Sequence, residues 1–386
     1  MGGVGTGEPY GGLVRISAMT WVLVLGCLLG QPGSSGAGPG RGHGGPRARA
    51  IDAAGGPRAR AIDAAGGPRA RAGDVASGAR AWAGAAAAPT DDSFAGLQRR
   101  IATDLKAGRP LVATVHVALC DNRTIWCGSK RLGSGDDPTT NLYWGGAAGL
   151  RAWFDHRPGW VRVLRGPGDG KSVLERVVYR RRVKAPGPAW RRLGVRGPFD
   201  VYLVGLGYRG LEIGQATRAF LEQVAGEAEE TVVLADGTRL AAGGASHLVG
   251  YAGHNHLMDA PSLAQPAFTR RAPVGWFALA CISNSYFGPR LGRGPAQALL
   301  VTKVLMYPGA FTLEGILKGL VEGRSPVGIF KAGADLYARH QKHSPSQARA
   351  FFTHGGRPDF NRFVEPAPGG KGARAPQRSG RARVEE

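Results

Sequence analysis

The chain has 386 residues, a formal net charge of +22, 63 glycines and 26 prolines, so low-complexity arms must share its length with a folded body. The positive excess is mostly arginine, spread over both arms and residues 179–196, and no zinc-finger, P-loop or RNP-type motif focuses it. A dedicated nucleic-acid partner is therefore not expected.

Residues 1–30 read as an export signal. Arg15 precedes "ISAMTWVLVLGCLLG", an apolar stretch of signal-peptide length and too short to span a bilayer comfortably. It contains "VLGC", similar to a bacterial lipoprotein box, which would make Cys27 a lipidated first residue and place the protein at the cell envelope. Uncleaved anchoring and cleavage near "SSGAG" are the alternatives; on each the body is exported. Residues 31–92 carry "GPRARAIDAAG" repeated with Pro46, Pro57 and Pro68 at a period of eleven. Gly-Gly-Pro in each unit forbids a continuous helix, so this segment is a flexible linker.

The folded domain is expected over 93–364. "SFAGLQRRIATDLKAG" predicts a first helix, and "PLVATVHVALC" a strand buried on both faces. Residues 136–156 read as a helix, with Asp136 and Asp137 as loop or capping residues, then "GWVRVL" as a second strand. The Arg-rich segment 170–196 reads as an excursion or hairpin, and its exposed basic run at 179–196 is a candidate for activating cleavage. "PFDVYLVGLG" predicts a third strand, "LEIGQATRAFLEQVAG" a helix, and "TVVLADGTRLAA" a hairpin turning at Asp236-Gly237. "SHLVGYAGHN" and "VGWFALACIS" are short buried strands, "AQALLVTKVL" another, with helices in 309–342 and 345–354. Trp126, Trp144 and Trp153 are assigned to packing. Residues 365–386 form a basic tail. Alternating strands and helices imply an α/β sandwich around a mostly parallel sheet, whose ligands sit at the carboxyl ends of the strands.

His254, Cys281 and Asn122 fall where apolar strands run out. Of the four cysteines, Cys120 and Cys127 have six residues between them and are candidates to bridge each other. If Cys27 is lipidated, Cys281 is then left as an unpaired thiol. "HNHLMD" has a His-x-His pair, which makes a metal-dependent hydrolase using His254 and His256 one alternative. The carboxylate Asp259 is one residue late for the metallo-β-lactamase-like signature, no histidine follows, and His340, His343 and His354 fall on predicted surface helices. A strand-end imidazole serving a strand-end thiol is the second reading. In the third, Cys281 is a small core residue and the chain is an inactive, surface-anchored binding module.

"LVGYAGHN" followed by "GWFALAC" resembles the two catalytic blocks of the caspase–legumain superfamily of cysteine peptidases, and "ACISNSYF" is similar to the nucleophile block of its legumain branch. The resemblance covers about 110–320. It implies a three-layer α/β/α, caspase–hemoglobinase-like fold, no cofactor, and a peptide or protein substrate. It further implies Cys281 as nucleophile and His254 as acid and base, with His256 as runner-up. The histidine would be oriented by Asn122 or Asp121, and the oxyanion held by amides of Cys281 and of the loop containing Gly253 and Asn255. The chain departs from the family in having Gly253 before rather than after the histidine, Asn255 in the glycine's place, about 26 residues between His254 and Cys281, and Leu279 before Ala-Cys.

Overall fold

A computed structural model describes residues 91–121 and 132–361, all within one unit of the chain, Gly66–Glu386. Helix α1 (Asp91–Lys106) leads into strand β1 (Leu111–Ala118), every residue of which is buried. That is the signature of a strand covered on both faces, and it lies at the centre of an eight-stranded sheet. The remaining strands are β2 (Val161–Pro167), β3 (Val173–Val183), β4 (Phe199–Tyr208), β7 (Leu248–Ala252), β8 (Val274–Leu279), β9 (Ala296–Thr302) and β10 (Phe352–Thr353), in the order β10-β9-β8-β7-β1-β4-β3-β2. From β9 to β4 all pairs are parallel; β10, β3 and β2 join antiparallel at the two ends. Strands β5 (Glu229–Val233) and β6 (Arg239–Gly243) form the separate Asp-Gly hairpin.

Side-chain alternation divides the core in two. Val115, Val117, Leu203, Leu248 and Phe277 face α1, α2 (Leu150–Asp155), α7 (Ala310–Val321) and α8 (Pro326–Gln341). Val112, Val204, Tyr251 and Trp276 face α4 (Ile213–Ala225) and the short helices α5 (Ser283–Tyr286) and α6 (Gly288–Leu291). The result is a helix–sheet–helix sandwich with a mostly parallel sheet.

Three local expectations are corrected. The helix expected over 136–156 is confined to its last turn and a half, Leu150–Asp155. Buried Asn141 gathers the preceding chain into turns: its Nδ2 donates to the carbonyls of Cys120 and Ser134, and its own carbonyl accepts from the amides of Trp144, Gly145 and Gly146. These turns need glycine, because a Cβ on Gly145 would lie 2.0 Å from the carbonyl oxygen of Thr139. The Arg-rich segment is not an excursion but part of the sheet, in antiparallel hairpin pairing: β3 pairs with β2 and, from Val173 to Val183, with β4, and α3 (Pro188–Arg192) buries Trp190 beyond it. Finally, the last helix, α9 (Pro345–Phe351), stops before Phe352, where the chain becomes β10 against β9.

Candidate active site at the strand tips

The loops leaving β1 and β9 turn to the α1/α7/α8 face, while those leaving β4, β7 and β8 turn to the α4 face. Neighbouring loops that part in this way open crevices at the carboxyl edge of a parallel sheet. Strands β7 and β8 pair in register, Ala252 opposite Leu279, so the residues after them emerge side by side.

After β7, Gly253 has φ +150 and its amide donates to the Leu279 carbonyl at 3.1 Å, extending the pairing by one step. The chain then swings away. The Tyr251 hydroxyl donates to the His254 carbonyl at 2.7 Å, and a 3₁₀ turn, His256–Met258, returns Asp259 so that its carboxylate lies 2.6 Å from His254 Nε2. Asn255 is fully buried and ties the two tips together. Its Nδ2 donates to the Cys281 carbonyl at 2.6 Å and its Oδ1 accepts from the Leu257 amide at 3.2 Å.

Cys281 stands two residues beyond β8 and is partly buried. Its Sγ accepts from the Met306 amide at 3.5 Å and lies 3.7 Å from the Met306 carbonyl, which bridges the tips of β8 and β9. Burial pushes the thiol above the usual cysteine range, partly offset by the amides of Met306 and of Cys281 itself. Tyr143, from the loop after β1, and Tyr307, beside Met306, are within electrostatic reach of one another, and Tyr143 is within reach of Cys281 too. Their rings are 6.0 Å apart, and burial raises both phenols.

His254 and Cys281 are thus brought to adjacent tips, but no hydrogen bond joins them; His254 is engaged with Asp259. In the sequence, Asp259 of "HNHLMD" reads only as a misplaced metal ligand. Its actual role depends on the 3₁₀ turn, and Asn255 just before that turn was the available signal, since Asn caps such turns through its side chain. Of the loop amides assigned to an oxyanion, that of Gly253 is committed to the Leu279 carbonyl, that of Cys281 faces its own thiol, and that of Asn255 is in none of the turn and loop backbone hydrogen bonds among the described residues. Asn122 lies outside the described residues; its alternative, Asp121, accepts from the Gly135 amide at 3.0 Å.

His256 is turned toward α4, where a Cβ on Gly214 would lie 3.3 Å from its Nε2. Its Nδ1 is buried with no hydrogen-bond partner among the described residues, and burial lowers its pKa. No three potential metal ligands gather among the described residues. The three distal histidines are packing groups: His340 stacks on Phe311, His343 on Tyr337, and His354, expected on a surface helix, is buried against Phe330. Trp144 and Trp153 are buried, as expected of packing residues, and Trp126 lies outside the described residues.

Cys120 is disulfide-bonded and Cys281 is the free cysteine among the described residues, while Cys27 and Cys127 fall outside them. Four arginines of β2 and β3 are ion-paired: Arg162 with Asp155, Arg165 with Glu175, Arg176 with Glu230 and Arg182 with Asp200. Among the described residues no helix is long and apolar enough to cross a membrane. A small polar cleft lined by Arg218, Glu222, Glu227 and Gln265 opens beside α4, away from the strand tips. No protein-family model, curated protein or solved structure matches the chain.

Proposed function

We propose that this chain is a cysteine-nucleophile hydrolase of peptide bonds, a divergent relative of the caspase–legumain peptidases with their sandwich fold. The observation that carries the reading is the in-register parallel pairing of β7 and β8, which delivers a histidine loop and a thiol to one edge, tied by Asn255. With Nε2 of His254 on Asp259, Nδ1 is the ring nitrogen left to exchange a proton. The Cys281 thiol passes its proton to His254 as Sγ bonds to the scissile carbonyl carbon, and the C=O electron pair moves to oxygen. Collapse of that intermediate expels the amine, which takes the proton from His254 and leaves a thioester. Water, deprotonated by His254, then attacks the thioester and releases the acid and the thiol. The amides of Cys281 and Asn255 are the oxyanion donors in this scheme. Export, with membrane attachment through Cys27, is part of the same proposal and rests on residues 1–30 alone.

A second reading is an inactive binding module of the same fold. It is favoured by the burial that keeps the thiol protonated and by the missing His254–Cys281 hydrogen bond. Peptidyl acyloxymethyl ketones of varied sequence, added to the full chain and read by intact mass, separate the two. The peptidase reading expects an adduct at Cys281, absent in Cys281→Ala and formed about a hundredfold more slowly in His254→Ala. Equal labelling of wild type and His254→Ala, or labelling only after denaturation, would leave the binding module.

A further inference from the structure

We infer that Ser283 and Thr302 form a positioning device for Cys281; the inference rests on the reading of that thiol as the nucleophile. Both residues are fully buried, one just after the thiol and one at the end of the neighbouring strand. The Ser283 hydroxyl donates to the Ala278 carbonyl at 2.7 Å and accepts from the Thr302 amide at 2.9 Å. The Thr302 hydroxyl donates to the Ala280 carbonyl and accepts from the Ser283 amide at 3.0 Å. Each hydroxyl spends its proton on a carbonyl and its lone pair on an amide, so the two oxygens sit 3.1 Å apart with neither in need of a further partner.

The device grips the chain on both sides of Cys281-Ile282. Between the grips Ile282 is held at φ +51, ψ +32, a left-handed conformation that a β-branched residue adopts only when its surroundings impose it. The Ile282 amide is held by the Val304 carbonyl at 3.0 Å, and Asn255 holds the Cys281 carbonyl. Every polar backbone constraint around the thiol therefore fixes one turn, and that turn presses Sγ against the Met306 amide. A tight turn of this kind aims a side chain out of the end of a strand, which a nucleophile needs and a packing cysteine does not.

The test uses the full chain and two electrophiles read at Cys281 by intact mass. One is iodoacetamide, which needs only an accessible thiolate, and the other a peptidyl acyloxymethyl ketone, which needs the thiol aimed at a bound carbonyl. Thr302→Val keeps the side-chain shape and removes the hydroxyl; Ser283→Ala is the independent second variant should Thr302→Val not fold. Loosening the turn admits water. Iodoacetamide labelling should then quicken by about threefold or more, with its pH midpoint falling toward that of an ordinary cysteine. Ketone labelling should slow by about tenfold. Thr302→Ser, which keeps the hydroxyl, should restore both rates.

If the variants melt earlier but, while folded, keep both rates and the alkylation midpoint of the wild type, the pair is only packing and the inference is wrong. If the ketone fails to label even the wild type while iodoacetamide still separates the variants, the hydrolase reading falls instead.

Discussion

Asn255, which stands where the peptidases that the chain resembles carry glycine, acquires a physical reason once its side chain is placed. A glycine there would leave the Cys281 carbonyl and the Leu257 amide without the partners that Asn255 gives them. Asn255→Ala should destabilise the fold by about 1–3 kcal/mol, the usual cost of stranding buried polar groups. Urea unfolding of the variant, with an unchanged dependence on denaturant, is the measurement. A change below about 0.5 kcal/mol would show that the tip loops are not held by this side chain. At this scale the sequence was a partial guide. Cys281 and His254 were legible because each ends an apolar run bounded by turn residues. Asp259 was not, because five residues along a chain say nothing about distance until the 3₁₀ turn folds the loop back.

Among the elements, β7 and β8 hold the candidate site, and their pairing contains one contact that tolerates no added atom. Gly250 is the register partner of Phe277, whose ring lies across it; a Cβ there would be 2.0 Å from the ring. Gly250→Ala must push that ring away from the centre of a close-packed core, at an expected cost of about 1–3 kcal/mol. Because the displaced ring belongs to the strand that carries Cys281, thiol labelling should change together with stability. A thermal melt of the variant beside the wild type checks the first effect, and the ketone rate the second. The strands themselves were readable from their apolar runs. The segment 136–156 was not: its apolar and aromatic residues have helical spacing, but the backbone is committed to turns around Asn141. That commitment comes from the carbonyls of Cys120 and Ser134, one of them far along the chain.

For the whole molecule, the consequence of stacking helices on both faces of the sheet is that polar side chains are trapped in the core. His116 lies in the middle of β1, wholly buried, with Nε2–H donating to Gln223 Oε1 at 2.8 Å and Nδ1 accepting from the Tyr208 hydroxyl at 3.0 Å. Burial pulls its pKa down from 6.5 to about 4, with the Gln223 hydrogen bond opposing. The folded state therefore binds fewer protons than the unfolded one between those values. The stability is present in full above about pH 6.5 and is lost as pH falls toward 4, by roughly 3 kcal/mol across that window.

His247, neutral and donating to Asp104, is shifted in the same direction by burial, so the two losses add. Asp104 itself is held well below the carboxylate range by His247 and contributes only at still lower pH. Urea midpoints at pH 7, 5.5 and 4 should fall steadily, and His116→Gln should flatten the slope; a flat profile in the wild type would refute the account. Of the basic run at residues 179–196, Arg182 is ion-paired with Asp200, and Arg162, Arg165 and Arg176, which precede the run on β2 and β3, are ion-paired as well.

Apolar periodicity alone determined that the chain forms a parallel-stranded α/β body with a thiol and an imidazole at strand ends, because burial on both faces leaves runs such as "LVATVHVA" that few other environments permit. Which strands are neighbours, which loop turns to which face, and which partner each side chain at the tips takes were decided only by the tertiary structure. Those outcomes depend on contacts between residues far apart in the chain, such as Asn255 with Cys281 and Thr302 with Ser283, and local pattern carries no record of them.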